Sequence, residues 1–507
     1  MELHGEDGIE KAIGRFGIYQ AWILFLITLA RLPGEFQLSN VVFLLPKADY
    51  TCLDDGVNNA TNYCPCQNPE FDTSTIVTSI TSDFQLICNK KSWASLSQSM
   101  LQVGVGAGSL IYGFISDRYG RRVAVLLALF CNALFGALSS LSTQLWMFIM
   151  CRFLSGFALG GTMLCCFVMM IELSGKSFRP YMMGLAEIAY VCGYIILPII
   201  AYFVREWKQL QLVTCAPWFI VVVYYWLIPE SPRWLITVGK KKEAVVVLTN
   251  IAKRNNRPVE NIEAIVDQIE AESIPKDPQQ RTGSYADLFK TPKIRMYSIL
   301  TPLVWTSCTL IYTGINQYIG RLQGNIYLNV LLSAAALTPA PVLIVIASLY
   351  LKRKISVITC FAITGSALLV FLIIPKNMES TILAFAIIGQ IGGFGAFVLT
   401  YLFTSEIFPT IIRNSAMGMC STFGRIGGFI APFVVNIGIE WVSILIFSSV
   451  AICAAALCWM LPETNDIILL NSIEQTEIAH STKGKKTNKK TTSNELPLDC
   501  KLPTSLN

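Results

Sequence analysis

The sequence predicts an all-α membrane protein of twelve transmembrane helices in two pseudo-symmetric six-helix halves. Three observations predict it. Hydrophobic residues make up 53% of the chain and charged residues 14%, against about 25% charged in a soluble protein. Apolar runs of about 20 residues, long enough to cross a bilayer as helices, recur along the whole length. Inside lipid every backbone polar group must bond internally, which selects helices. Third, two charged landmarks are written twice at nearly one offset. "ELSGKSFR" starts at Glu172 and "EIFPTIIR" at Glu406, 234 residues on, while "PESPRW" starts at Pro229 and "PETN" at Pro462, 233 residues on. Unrelated landmarks repeating at one offset indicate a duplication.

Taken in order, residues 1–15 form a short N-terminus. The first run, 16–38, follows only Lys11 and Arg15 and lacks a small-residue cleavage site, so it is expected to stay as a helix rather than leave as a signal peptide. The first half spans 16–228, with further runs at 94–115, 123–143, 146–171, 182–203 and 211–228. Segment 229–296 is charged, with amphipathic stretches at 241–252 and 259–271, and is expected to be a small cytoplasmic helical domain. The second half, 297–461, holds runs at 297–316, 326–350, 355–375, 381–404, 415–437 and 441–461. The tail, 462–507, is polar from 466 and contains "KGKKTNKKTT". It is expected to be unstructured, with a basic stretch suited to anionic lipid.

Twelve crossings place both termini on one side. Arg118, Arg121, Arg122, Lys176, Arg179, Lys352, Arg353 and Lys354 lie in connections on that side, together with the charged linker and tail. The opposite connections hold fewer cations: Lys47, Lys90, Lys91, Arg205, Lys208, Arg321 and Lys376. The positive-inside rule makes both termini cytoplasmic in a multi-pass protein of the plasma membrane. The net charge of +6 follows from this asymmetry and does not argue for nucleic acid. The loop 46–93 is then outside. It holds Cys52, Cys64, Cys66 and Cys88, an even number in an oxidising compartment, which implies two disulfides with three pairings open. Asn59-Ala60-Thr61 in the same loop is a glycosylation acceptor.

Ionisable residues at membrane depth are costly and are the first candidates for function. Arg425 in the eleventh run is the sharpest. Glu187 in the fifth has no basic residue near it in sequence. Arg31 and Glu35 are four apart and read as a helical ion pair. Aromatic side chains can hold an organic cation by cation–π attraction, roughly 0.5–2 kcal/mol each. Tyr190 and Tyr194 are four apart, as are Phe394 and Val398, and Trp305 and Tyr312 are seven apart on one face. Gly104/Gly108, Gly156/Gly160 and Gly424/Gly428 allow close helix packing.

"GFISDRYGRR" (113–122), "RFLSG" (152–156), "YYWLIPESPRWL" (224–235), "SEIFPTIIRN" (405–414) and "CSTFGRIGGFIAPF" (420–433) resemble motifs of the major facilitator superfamily. With the cysteine-bearing loop and Thr75 to Cys88, the chain is identified as a member of its organic cation/anion/zwitterion transporter family, over about Gly14 to Thr464. Parallel repeats of this kind carry substrate between the halves near the midplane. The resemblance implies carriage of small organic ions by rocking of the halves, with a coupling ion, H+ or Na+, left open. It implies inner-gate roles for Asp117, Arg118 and Arg122, joined by Glu172, Arg179, Glu406 and Arg413 pairing across the halves when that mouth is shut. Asp117 has no acidic counterpart at Leu351 in the second copy. The resemblance also places Tyr190, Trp305, Tyr312 and Phe167 at cavity positions, with Gln390 replacing a basic residue of some relatives. At the position of Arg425, cation carriers of the family hold an acid, whereas anion and carnitine-type members hold arginine. The expected substrate is therefore a carboxylate-bearing zwitterion resembling carnitine, or an organic anion. The alternatives are an organic cation, or a non-transporting receptor or scaffold of the same fold.

An enzyme is not expected. His4 and His480 lie in the terminal segments, and "GKS" at 175–177 has Met170 where a phosphate-binding loop needs glycine. No cofactor and no metal are expected.

Overall fold

A computed structural model describes residues 8–54, 60–175, 178–273, 285–375 and 377–464. Asn59 and the tail beyond 464 lie outside the described residues. Among the described residues, eleven helices are long and apolar enough to cross a membrane, and the shorter apolar helix Ile188–Phe203 accompanies them. The membrane helices are α1 (Ile18–Leu44), α2 (Lys91–Tyr119), α3 (Arg121–Ser139), α4 (Leu145–Glu172), α5 (Arg179–Ala186 and Ile188–Phe203) and α6 (Trp207–Leu227). The second set is α7 (Pro292–Ile319), α8 (Ile326–Leu337 and Ala340–Tyr350), α9 (Arg353–Ile373), α10 (Glu379–Ile407), α11 (Thr410–Val435) and α12 (Glu440–Trp459). Two of the expected uninterrupted runs are broken. α5 breaks at Glu187 and α8 at Thr338–Pro339, and the broken pair packs together across the halves.

Within each half, helices approach until backbones touch. On α2, a Cβ at Gly104 would lie 2.1 Å from the Phe153 carbonyl oxygen, and one at Gly108 would lie 1.8 Å from that of Phe157. Gly156 and Gly160 of α4 meet the α2 carbonyls of Leu101 and Val105 in the same way. Two stripes of small residues thus interlock. In the second half the close approach between α7 and α11 is made by Gly427, whose Cβ would lie 2.1 Å from the Thr306 carbonyl. Gly424 faces Trp305 of α7, and Gly428 faces Gln102 of α2 across the halves.

The duplication extends to chemistry. In the first half Arg121 at the start of α3 pairs with Glu172 at the end of α4, Nη2 to Oε1 3.1 Å, and bridges to Asp117 at 2.5 Å. Glu230 of "PESPRW" accepts the backbone N–H of Arg121 at 2.9 Å and of Arg122 at 3.1 Å. A carboxylate on free N–H groups at a helix start is favourable by charge and by hydrogen bonding. Gly120 makes the fit: its φ is +112°, and a Cβ there would lie 2.4 Å from Glu230 Oε2. In the second half Arg353 at the start of α9 pairs with Glu406 at 3.3 Å, and Glu463 of "PETN" accepts the Lys354 N–H at 3.4 Å. Arg121 therefore corresponds to Arg353, 232 residues on, so the counterpart of Asp117 is Leu349 rather than Leu351, and the second copy still lacks the acid.

Burial pushes the Glu230 carboxyl above its ordinary range, opposed by the backbone N–H groups of Ser231, Arg122 and Arg121. Glu230→Ala is expected to cost about 1 kcal/mol, as loss of an N-cap does, read as a lowered Tm of the purified protein. Glu230→Gln should keep part of the effect, because its amide oxygen still accepts.

The linker helix Lys241–Arg254 docks on the start of α1. Asn255, which follows it, accepts the Tyr19 N–H at 3.0 Å and donates to the Ile13 carbonyl at 3.0 Å. In the loop before α2, strands β1 (Tyr50–Cys52) and β2 (Pro69–Phe71) pair antiparallel. Disulfides join Cys52 to Cys66 and Cys64 to Cys88, which selects one of the three open pairings.

At the end of the bundle that carries this loop, hydrogen bonds cross between halves. Ser99 donates to the Phe429 carbonyl at 2.6 Å, and Ser95 bridges to Pro432 and Asn436 at 3.3 and 2.6 Å. The Tyr194 and Ser333 hydroxyls lie 2.9 Å apart, and Asn316 donates to the Tyr190 hydroxyl at 3.2 Å. At the opposite end the ion pairs Arg121–Glu172 and Arg353–Glu406 each stay within one half.

Candidate functional site

The site lies where α1, α5, α7, α10 and α11 converge. Arg31 on α1 is the first fixed point. Its Nη2 pairs with Glu35 at 2.8 Å, as the four-residue spacing predicts, and its Nη1 donates to the Ala186 carbonyl at 2.9 Å. That carbonyl immediately precedes the break in α5, so the guanidinium satisfies a group which the broken helix leaves free. The break also brings Glu187 into electrostatic reach of Arg31. Glu187 has no basic residue near it in sequence; its charge neighbour comes from another helix, 156 residues away. One cation thus serves two carboxylates in this cluster, while a second buried cation of the same half, Arg152 on α4, is held by Gln37 and Asn40 instead.

Arg425 on α11 is half-buried. Its stem runs beside α2, 3.5 Å from where a Cβ on Gly106 would stand. Tyr401 on α10 lies in electrostatic reach of Arg425 on one side and Glu187 on the other. Among the described residues, no carboxylate forms an ion pair with Arg425. Three arginines and two glutamates thus lie at membrane depth here: both carboxylates gather at Arg31, Arg152 is held by Gln37 and Asn40, and Arg425 stands apart.

Between these poles runs a chain of rings. Tyr194 stacks on Tyr190 at 5.7 Å, and Tyr190 meets Phe394 and Tyr312 at 5.9 Å each. Tyr312 stacks on Phe397 at 5.8 Å, Phe397 meets Tyr401 at 5.8 Å, and Tyr401 meets Trp305 at 4.3 Å. Trp305 is anchored by its indole N–H on Thr404, 2.9 Å away. Gln390, fully buried, donates to the Tyr194 hydroxyl at 3.4 Å. Of the seven binding candidates, Tyr190, Tyr312 and Trp305 join the ring chain, and Gln390, Glu187 and Arg425 border it. Phe167 does not: it packs against the first-half cluster that holds Cys165, Met169 and Tyr224. Phe397 and Tyr401 were missed. With Phe394 they lie three and four apart on α10, a spacing that could have placed all three on one face.

Of the gating candidates, Asp117 pairs with Arg121, Arg122 lies over the Tyr225 ring at 4.0 Å, and Arg118 lies exposed beside Phe114 and Tyr119. Glu406 accepts from Thr464 as well as Arg353, and Arg413 donates to the Phe408 carbonyl at 3.3 Å. The side chain of Arg179 lies outside the described ones. Among the described residues these pairs are internal to each half; the pairing across halves is expected for the state with this mouth shut. The missed residues are Arg121 and Arg353, which read in sequence as anchoring charge, and Glu230, which read only as part of a repeated landmark.

A family model described as "Sugar (and other) transporter" matches residues 51–469. Organic cation/carnitine transporter 2 from Homo sapiens is 32% identical over 409 residues, covering 80% of this chain and 73% of that one. An organic cation transporter-like protein from Drosophila melanogaster is 29% identical, covering 93% and 92%. Among solved structures, the inward open xylose transporter XylE from E. coli superposes with a TM-score of 0.68 at 15% identity, covering 91% of this chain and 99% of that one. The two six-helix halves with their repeated Arg–Glu pairs, the matched family and the relatives agree: the chain belongs to the organic cation/carnitine transporter branch of the sugar (and other) transporter family, within the major facilitator superfamily, and is a multi-pass membrane transporter rather than an enzyme.

Proposed function

We propose that this protein carries a carboxylate-bearing zwitterion resembling carnitine, or an organic anion, across the plasma membrane by alternating access. The observation that carries the reading is Arg425, a membrane-embedded cation without a carboxylate partner among the described residues, opposite a first-half cluster with one carboxylate in excess. A zwitterion would neutralise both at once, its carboxylate at Arg425 and its ammonium near Glu187, with its body against Phe397 and Tyr401. With both termini cytoplasmic, the hydrogen-bonded end is the outer face. Arg425, Glu187, Phe397 and Tyr401 keep partial exposure, whereas Tyr190, Tyr194 and Gln390 on the outer side are buried. That gradient supports an inward-facing state in which Glu172 and Glu406 are held within their own halves until the inner mouth closes.

A plain organic cation is the second reading. It is favoured by the surplus acid at Arg31, Glu35 and Glu187, and by the names of relatives such as the organic cation transporter of Drosophila melanogaster. Uptake into proteoliposomes of labelled carnitine, a monocarboxylate and tetraethylammonium separates the readings. Saturable carnitine uptake is the expected result; tetraethylammonium carried alone would select the cation reading. Imposed H+ and Na+ gradients in the same vesicles identify the coupling ion.

A further inference from the structure

A cavity of about 310 Å³ lies at the loop-bearing end, away from the ring chain. Both halves and the disulfide loop build it. Lys47 follows α1 and Lys91 begins α2, while Arg321 follows α7 and Glu440 begins α12. Three cations therefore face one acid. Lys47 reaches Glu440 at 3.7 Å, an ion pair that spans the halves. Arg321 donates to the Val435 carbonyl at 3.1 Å and to the Asn436 side chain. Burial holds its guanidinium down to about 10, so it stays cationic at neutral pH. Tyr318, Ile439 and Leu86 supply apolar wall. A cavity of this size suits a small ligand with an apolar body and few polar anchors, and the charge surplus selects an anion.

We propose that this cavity is a regulatory site for small aromatic or aliphatic carboxylates, distinct from the transport site. Because its walls come from both halves, an occupant stabilises the arrangement in which they meet, by as much as its preference for that arrangement. It therefore slows transport without competing for the central site. Its assignment to the outer face rests on the topology proposed above; the binding itself does not.

The test uses 4-phenylbutyrate and the purified full chain, with binding read by calorimetry. Saturable binding that persists in Arg425→Ala, where the central site no longer holds a carboxylate, is expected, weakened about tenfold or more by adding Lys47→Gln/Lys91→Gln and in the neutral isostere 4-phenylbutanol. Binding lost in Arg425→Ala, binding unaffected by the lysine changes, or no saturable binding would each overturn the site. This readout needs no transport, so it stands apart from the uptake experiment. In proteoliposomes, external 4-phenylbutyrate should lower the maximal rate of the wild type and spare the lysine variant. A purely competitive effect would overturn the regulatory role.

Discussion

Arg425→Ala should lower uptake of the carboxylate-bearing substrate by about two orders of magnitude in kcat/KM. Removing one partner of a desolvated charge pair costs about 2–5 kcal/mol, and about 1.4 kcal/mol is tenfold. On the proposed reading most of the loss belongs to the contact between guanidinium and substrate, because among the described residues Arg425 has no carboxylate within the protein to release. Arg425→Lys should recover only part, since an ammonium keeps the charge and loses the planar fork. Uptake normalised to protein in the membrane reads the effect. Unchanged uptake would make Arg425 a structural residue. Loss of uptake together with loss of folded protein would say the same.

Gly108→Leu should prevent folding. The first side-chain carbon alone would stand 1.8 Å from a backbone oxygen of α4, and backbone cannot step aside as a flexible side chain does. Overpacking of this kind is expected to exceed about 3 kcal/mol, enough to unfold a marginally stable chain. Gly113→Ala is the matched control on the same helix. Its new methyl would lie 3.3 Å from a Leu164 methyl, the end of a flexible side chain that needs to give only a few tenths of an ångström. The yield of monodisperse protein after size exclusion should collapse for the first substitution and persist for the second.

The architecture was legible because lipid imposes it: apolar length counts helices, and two landmarks at one offset reveal the halves. The breaks were not legible. Pro339 sits inside an apolar run, but Pro33, Pro198, Pro302 and Pro432 sit inside helices that continue, so proline alone gives no signal. Glu187 was picked out by its charge at membrane depth, yet its relation to Arg31 arises only when α1 and α5 pack. The same holds for Arg121. On sequence it is one of several cations in a short connection, and its role comes from Glu172, 51 residues away, and Glu230, 109 residues away. The disulfides Cys52–Cys66 and Cys64–Cys88 interleave, a topology that spacing does not encode. Phe167, placed by resemblance, is partly buried against the first-half cluster rather than joined to the ring chain.

The hydrogen bonds that join the halves at Ser95, Ser99, Tyr194 and Asn316 also set a clock. Each contributes about 1 kcal/mol net, so each one that must break before the halves separate slows that step roughly fivefold. Conversion between orientations, rather than the grip on substrate, would then govern the turnover number, and Ser99→Ala or Ser333→Ala would make a faster and leakier carrier.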